Sequence, residues 1–219
     1  MTKPLLAITQ GDPTGIGAET IVGAWRQPEM HQLCRAMVVG HPQIVQRAVD
    51  LLGLDAKVVV IPANDHNVAA IDSSPRRIPC LPCGSDDMLA APVATIDPRG
   101  GQAAYDALVC AAKLALAKQV DGIVTAPLHK AALWRAGHHY PGHTELLAEL
   151  CGVDDFAMML YLALPSGHRL GVVHVTLHMA LAEVFRHLAP AAILAKAKLV
   201  DRTMHAIIGR PVRIAVCAL

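Results

Sequence analysis

The sequence predicts an α/β protein built on a largely parallel sheet. Two patterns carry that prediction. Apolar runs of strand length alternate with segments of helical periodicity from one end of the chain to the other. Most of the strand-like runs are continuously apolar, the pattern of strands covered on both faces.

The elements follow in order. Residues 4–9 (PLLAIT) read as a buried strand, and GDPTGIG at 11–17 as the turn after it. A helix is expected from about residue 15 to 26, with Glu19 in its first turn, where the helix dipole favours a negative charge. Residues 36–39 make a short strand ended by Gly40. Residues 42–52 form a helix with Pro42 at its start, where a missing N–H costs nothing. KVVVI at 57–61 is a strand, and 62–96, sprinkled with Pro, Gly, Asp and Ser, is loop. Residues 101–119 carry a long amphipathic helix and 121–125 a strand. Short helices are expected at 131–136 and 144–151. Strands are expected at 156–164 and 170–175, helices at 180–187 and 189–208, and a final strand at 212–219 (VRIAVCAL).

Composition narrows the function. Hydrophobic residues make up 53 % of the 219, enough for a substantial core, so general disorder is excluded. The net charge of +1 gives no electrostatic footprint for nucleic acid, and 3 % aromatics leaves few rings for base stacking. No apolar run is long enough to span a membrane. The N-terminal apolar run is too short for a signal sequence and is cut by Asp12-Pro13, so a cytoplasmic protein is expected. Six scattered cysteines fit reduced, buried thiols in that compartment, and the lone Cys80-Leu-Pro-Cys83 pair is a weak zinc signal.

Chemistry-bearing residues concentrate between Pro127 and Leu147: His129, Lys130, Arg135, His138, His139, His143, Thr144 and Glu145. Such a set handles an anion or a metal. His129 and Lys130 follow a strand, the usual place for function in an open α/β sheet. Thr144 either caps the helix that follows or contacts substrate. His138 and His139 read as solvated loop residues. His174 and His178 close the next strand. They share a face but lie too far apart to hold one metal together, so His178, at the strand end, is the ligand candidate and His174 a packed or hydrogen-bonded strand residue. The GDPTGIG turn is neither a Walker A loop nor a dinucleotide fingerprint. It reads as an anion-binding turn or as a plain tight one.

Taken together, GDPTGIG, APLHKAAL, HHYPGHTELLAEL and VVHVTLHMAL resemble, in this order, the 4-hydroxythreonine-4-phosphate dehydrogenase (PdxA) family over essentially the whole chain. The resemblance implies an isocitrate/isopropylmalate-dehydrogenase-like fold: two α/β/α domains with a cleft between them, in a homodimer. It places a first domain at 1–126 and a second at 127–219, each incomplete. It implies oxidation by NAD (or NADP) of a secondary alcohol in a small phosphorylated hydroxy acid such as 4-phosphooxy-L-threonine, followed by decarboxylation. A divalent metal (Zn, Mg, Mn or Co) polarises the oxygens and NAD takes the hydride. By resemblance His143 and Thr144 bind substrate, His178 is one of three metal histidines, and Asp12 and Lys130 line the cleft. No catalytic residue is assigned.

The family's Asn-Pro-His-Ala-Gly-Glu loop and Tyr-His-Asp-Gln segment, with two further metal histidines, are not in this sequence, and Met179-Ala180 stands in place of the usual Leu-Pro. The chain is therefore expected to be an N-terminal portion with impaired metal and NAD binding. Alternatives within the family are 4-phospho-threonate or -erythronate dehydrogenase and terephthalate dihydrodiol dehydrogenase. A non-catalytic α/β dimerisation module and a zinc hydrolase built on the His-rich loop are the alternatives of other classes.

Overall fold

The computed structural model describes residues 3–62, 71–177 and 179–217. Its contacts divide the chain into two compact units, Met1–Gly152 and Val153–Leu219.

The first unit is a five-stranded, wholly parallel sheet sandwiched by helices. Its strands are β1 (Leu5–Thr9), β2 (Arg35–Gly40), β3 (Lys57–Val60), β4 (Arg77–Pro82) and β5 (Gly122–Thr125), in spatial order β3-β4-β2-β1-β5. β1 is central, in register from Leu5 opposite Arg35 to Thr9 opposite Val39, and pairs with β5 on its other side. Alternation along β1 and β2 sends side chains to two cores. Ile8, Ala36 and Val38 meet helices α1 (Gly17–Trp25) and α3 (Pro42–Leu52) on one face, where Trp25 is fully buried. Leu5, Ala7, Met37 and Val39 meet Ala107 and Ala111 of α4 (Pro98–Leu116) on the other. A strand with both faces covered has to be apolar throughout, which is why these runs do not alternate with polar residues.

Local chemistry sets the helix ends. α3 begins with Pro42 after His41, whose ring nitrogen accepts the Gln43 N–H, and ends at Gly53 in the left-handed region. α4 begins three residues earlier than expected, at Pro98, because Asp97 caps it by accepting the Arg99 N–H. Three elements were not foreseen: α2 (Pro28–Leu33), and β4 with the short helix after it, both within the expected loop. A short 3₁₀ helix, Asp86–Ala90, follows β4. Helices α5 (Lys130–Arg135) and α6 (His143–Cys151) both pack on α4, so residues 127–152 group with the first unit, past the expected boundary at 126/127.

The second unit holds an antiparallel hairpin and two helices. β6 (Met159–Ala163) pairs with β7 (Arg169–Val173), and α7 (Leu181–His187) and α8 (Pro190–Ile208) follow. Lys196 of α8 donates to Asp155 at 2.6 Å. The strand expected at 212–219 does not form over 212–217, where the chain is coil and Val216 is 69 % exposed. An apolar run supplies strand propensity, but a strand forms only where a neighbour accepts its backbone hydrogen bonds, and among the described residues none does. Residues 218–219 lie outside the description. No helix among the described residues is long and apolar enough to cross a membrane.

Candidate functional site

The carboxyl ends of β1 and β5 are tied together. The Ala126 N–H donates to the Thr9 carbonyl at 3.2 Å, and the Asp12 N–H to the Pro127 carbonyl at 3.0 Å. Ligands of open α/β sheets bind beyond this edge. Gly11, at φ +70°, makes the second tie possible: a Cβ there would sit 2.2 Å from the Pro127 oxygen. A Cβ on Gly17 would meet the Gln10 carbonyl at 2.4 Å. Both glycines are therefore packed against protein backbone. This favours the tight-turn reading of GDPTGIG over a phosphate cradle.

Asp12 is 3 % exposed. Its Oδ1 accepts both the N–H and the hydroxyl of Thr14, each at 2.8 Å. Its Oδ2 is buried and has no hydrogen-bond partner. The first turn of α4 lies against this carboxylate, since a Cβ on Gly100 would come within 2.3 Å of Oδ1. Thr14 and Gly100, which sequence reasoning passed over, thus complete the Asp12 environment. The signal for Thr14 was the Asp-x-Thr spacing, in which a side-chain oxygen reaches the backbone two residues on.

His143 opens α6. One ring nitrogen bonds the Ala126 backbone, and Nε2 is buried without a partner. Burial pushes the imidazole below its ordinary value of 6.5, against a smaller upward pull from the Ala126 hydrogen bond. Near neutral pH the ring is uncharged, with Nε2 free to accept a hydrogen bond. Thr144 is the second residue of the helix, and the cap position belongs to Gly142, with no side-chain cap bond. The capping role for Thr144 is thereby removed, and its side chain is exposed beside the α6 N-terminus. Asp12 and His143 are thus both anchored on the Ala126–Pro127 segment.

The other sequence candidates sit elsewhere. Lys130 is exposed in the first turn of α5, and His129 before it accepts the Ala132 N–H at 3.4 Å as the cap. His138 is not a solvated loop residue. Its ring stacks on Tyr105 with centroids 3.6 Å apart, and its Nε2 pairs with Gln102 at 2.9 Å. His139 is exposed against the edge of Trp134. His174 follows β7, with its Nδ1 buried and unpaired. His178, the metal candidate, lies outside the described residues. Among the described residues no group of three or more His, Cys, Asp or Glu is placed to hold a metal ion. These residues therefore do not by themselves fit a divalent metal. All six cysteines are free, and only Cys80 is buried.

The sequence profile of the family described as pyridoxal phosphate biosynthetic protein PdxA matches residues 32–219. The 4-hydroxythreonine-4-phosphate dehydrogenase of Geobacter metallireducens is 38 % identical over all of this chain, which spans 62 % of that relative. The D-threonate 4-phosphate dehydrogenase of Cupriavidus necator is 34 % identical over 87 % of the chain and 54 % of its own length. The crystal structure of a 4-hydroxythreonine-4-phosphate dehydrogenase from Burkholderia phymatum superposes with a TM-score of 0.82 at 33 % identity, covering 96 % of this chain and 61 % of that one. The chain thus spans less than two thirds of the length of these relatives. With its parallel sheet, its β1/β5 edge and this match, the chain belongs to the PdxA family and has that family's isocitrate/isopropylmalate-dehydrogenase-like α/β fold.

Proposed function

We propose that this chain provides the substrate-binding wall of a dehydrogenase for a small phosphorylated hydroxy acid. The observation that carries the reading is a pair of buried, unpaired polar atoms, Asp12 Oδ2 and His143 Nε2, on groups both anchored at the carboxyl end of β5. A buried polar atom without a partner costs about 1–3 kcal/mol, a cost that a ligand hydrogen bond removes. Relatives named for 4-hydroxythreonine-4-phosphate and D-threonate 4-phosphate supply the substrate class.

In this reading His143 Nε2 accepts a hydrogen bond from a substrate hydroxyl or amino group. Thr144 and the free N–H groups at the α6 N-terminus receive an anionic group of the substrate, where the helix dipole favours negative charge. Asp12 and Lys130 line the same wall. Oxidation of the alcohol needs a two-electron acceptor, and NAD or NADP is the proposed one. A divalent metal, proposed with His178 as one ligand, needs partners beyond those the described residues bring together. Decarboxylation, a homodimer and a cytoplasmic location complete the proposal.

Titration calorimetry tests it on this chain, with 4-phosphooxy-L-threonine, D-threonate 4-phosphate and unphosphorylated threonine as titrants. Binding of a phosphorylated compound, weakened about tenfold or more in His143→Ala, is expected. Heat from neither phosphorylated compound would overturn the substrate-wall reading and leave the non-catalytic module in its place. The stronger of the two phosphorylated ligands names the branch of the family.

A further inference from the structure

A groove of about 530 Å³ runs between the loop after β4 and the middle of α4. Cys83, Cys110, Asp106 and Lys113 line it, and it shares none of them with the site on the β1/β5 edge. Cys83 is held at the end of β4, where its N–H donates to the Gly40 carbonyl at 3.1 Å. Cys110 projects from α4 into the same core cluster. The two side chains line this groove together and lie close enough to interact, and both are free thiols, partly exposed.

We propose that Cys83 and Cys110 form a redox-active dithiol, which hydroperoxides that enter this groove convert to an intramolecular disulfide.

The surroundings divide the two roles. Cys110 is lowered, chiefly by the neighbouring Cys83 thiol, against the opposing pull of burial, and further by the Lys113 ammonium one turn on. Cys83 is raised, first by the neighbouring Cys110 thiol, then by burial, which disfavours its charge, and Asp106 adds a carboxylate nearby. Cys110 is therefore the attacking thiolate and Cys83 the resolving thiol. The Cys110 sulfur attacks a peroxide oxygen. An S–O bond forms, the O–O bond breaks, and the departing oxygen takes a proton and leaves as water or an alcohol. The Cys83 sulfur then displaces hydroxide from the Cys110 sulfenic acid, and that hydroxide leaves as water with the Cys83 proton. Two thiols lose two hydrogens in all, and one hydroperoxide is reduced.

The remaining thiols serve as internal controls. Cys80 is buried, pushed up to about 12 by desolvation, and directed at the Gly40 carbonyl at 3.6 Å. Cys151 and Cys217 are exposed single thiols, and Cys34 is raised by burial.

The experiment exposes the native chain to dilute hydrogen peroxide. Free thiols are then alkylated, and tryptic peptides are mapped by mass spectrometry without reduction. The expected product joins peptide 78–99 to peptide 100–113 at the mass of the sum less two hydrogens, with fragmentation placing the bond at Cys83. Dithiothreitol restores both thiols. In Cys83→Ser, dimedone should trap a sulfenic acid on Cys110, and in Cys110→Ser the loss of reactive Cys83 should slow several-fold. Wild-type Cys83 and Cys110 that both stay open to alkylation would overturn the proposal. So would a Cys80–Cys83 link inside one peptide, or a Cys110 that runs to sulfinic acid with Cys83 unchanged.

Discussion

Asp12 shows how one side chain can hold a turn and still present an unused atom. Its Oδ1 satisfies two donors of Thr14, while Oδ2 stays buried and unpaired. Asp12→Ala strands the Thr14 N–H and should cost about 1–3 kcal/mol in urea unfolding. Asp12→Asn keeps the Oδ1 acceptor and should cost less than about 1 kcal/mol, while weakening any ligand bond to Oδ2. Equal losses for the two variants would mean that charge, not the acceptor, holds the turn. His143 makes a second prediction. Its folded pKa lies below the ordinary 6.5, so on acidification the unfolded chain takes up the proton first. Stability from neutral His143 is present above pH 6.5 and is lost as pH falls from there toward the folded value. His138 is shifted in the same sense, first by burial. An NMR titration of the His143 ring should show a midpoint below 6.5, and a midpoint at or above that value would refute the partly buried, neutral ring. The identity of these residues was readable from motif spacing. Their burial was not, because it is set by Ala126, Pro127 and Gly100, which lie far away in the sequence.

Between helices, two glycines of the same type predict opposite outcomes. Gly23 in α1 has no atom within 4 Å of a Cβ built on it, so Gly23→Ala should stabilise by about 0.5–1 kcal/mol through helix propensity. Gly101 sits where α4 crosses α5, and a Cβ there would come within 2.1 Å of the Ala132 carbonyl oxygen. Gly101→Ala must push the α4 and α5 backbones apart and should cost about 1–3 kcal/mol or more. Unfolding midpoints of the two variants check both signs. Periodicity carried most of the elements, since strands covered on both faces are apolar runs and α3 and α4 have strong end signals at Pro42 and Asp97-Pro98. It missed β4 because Pro79 and Pro82 lie in the run RIPCLP, and proline argues against a paired strand. That strand exists because β2 and β3 flank it, a fact of topology rather than of its own sequence. The reverse failure, VRIAVCAL, is an apolar run without a neighbour to pair with among the described residues. β6 and β7 were each expected as strands, but their antiparallel pairing follows from the short turn at Gly167, φ +85°, which lets the chain reverse directly.

At the scale of the whole chain, the two units differ in how much of their apolar surface is covered. The first unit holds two buried clusters on the two faces of one sheet. In the second, Met204 is the one buried residue among those described, and Leu160, Leu162, Leu170 and Phe185 are each about half exposed or more. Local opening is cheap where few apolar contacts are lost, so amide protection should follow this division. In deuterium exchange on the intact chain, amides of β1, β2 and α4 should exchange only on global unfolding. Those of β6, β7 and α7 should exchange at least about a hundredfold faster, through openings costing about 3 kcal/mol less. Substitutions should divide the same way. Val38→Ala, in the first core, should cost about 2–4 kcal/mol, whereas Phe185→Ala, 71 % exposed, should cost well under about 1 kcal/mol. Equal protection of β1 and β6, or a large loss from Phe185→Ala, would show that something in solution covers the second unit's apolar side chains, and a rise of protection with chain concentration would identify that cover as a second copy.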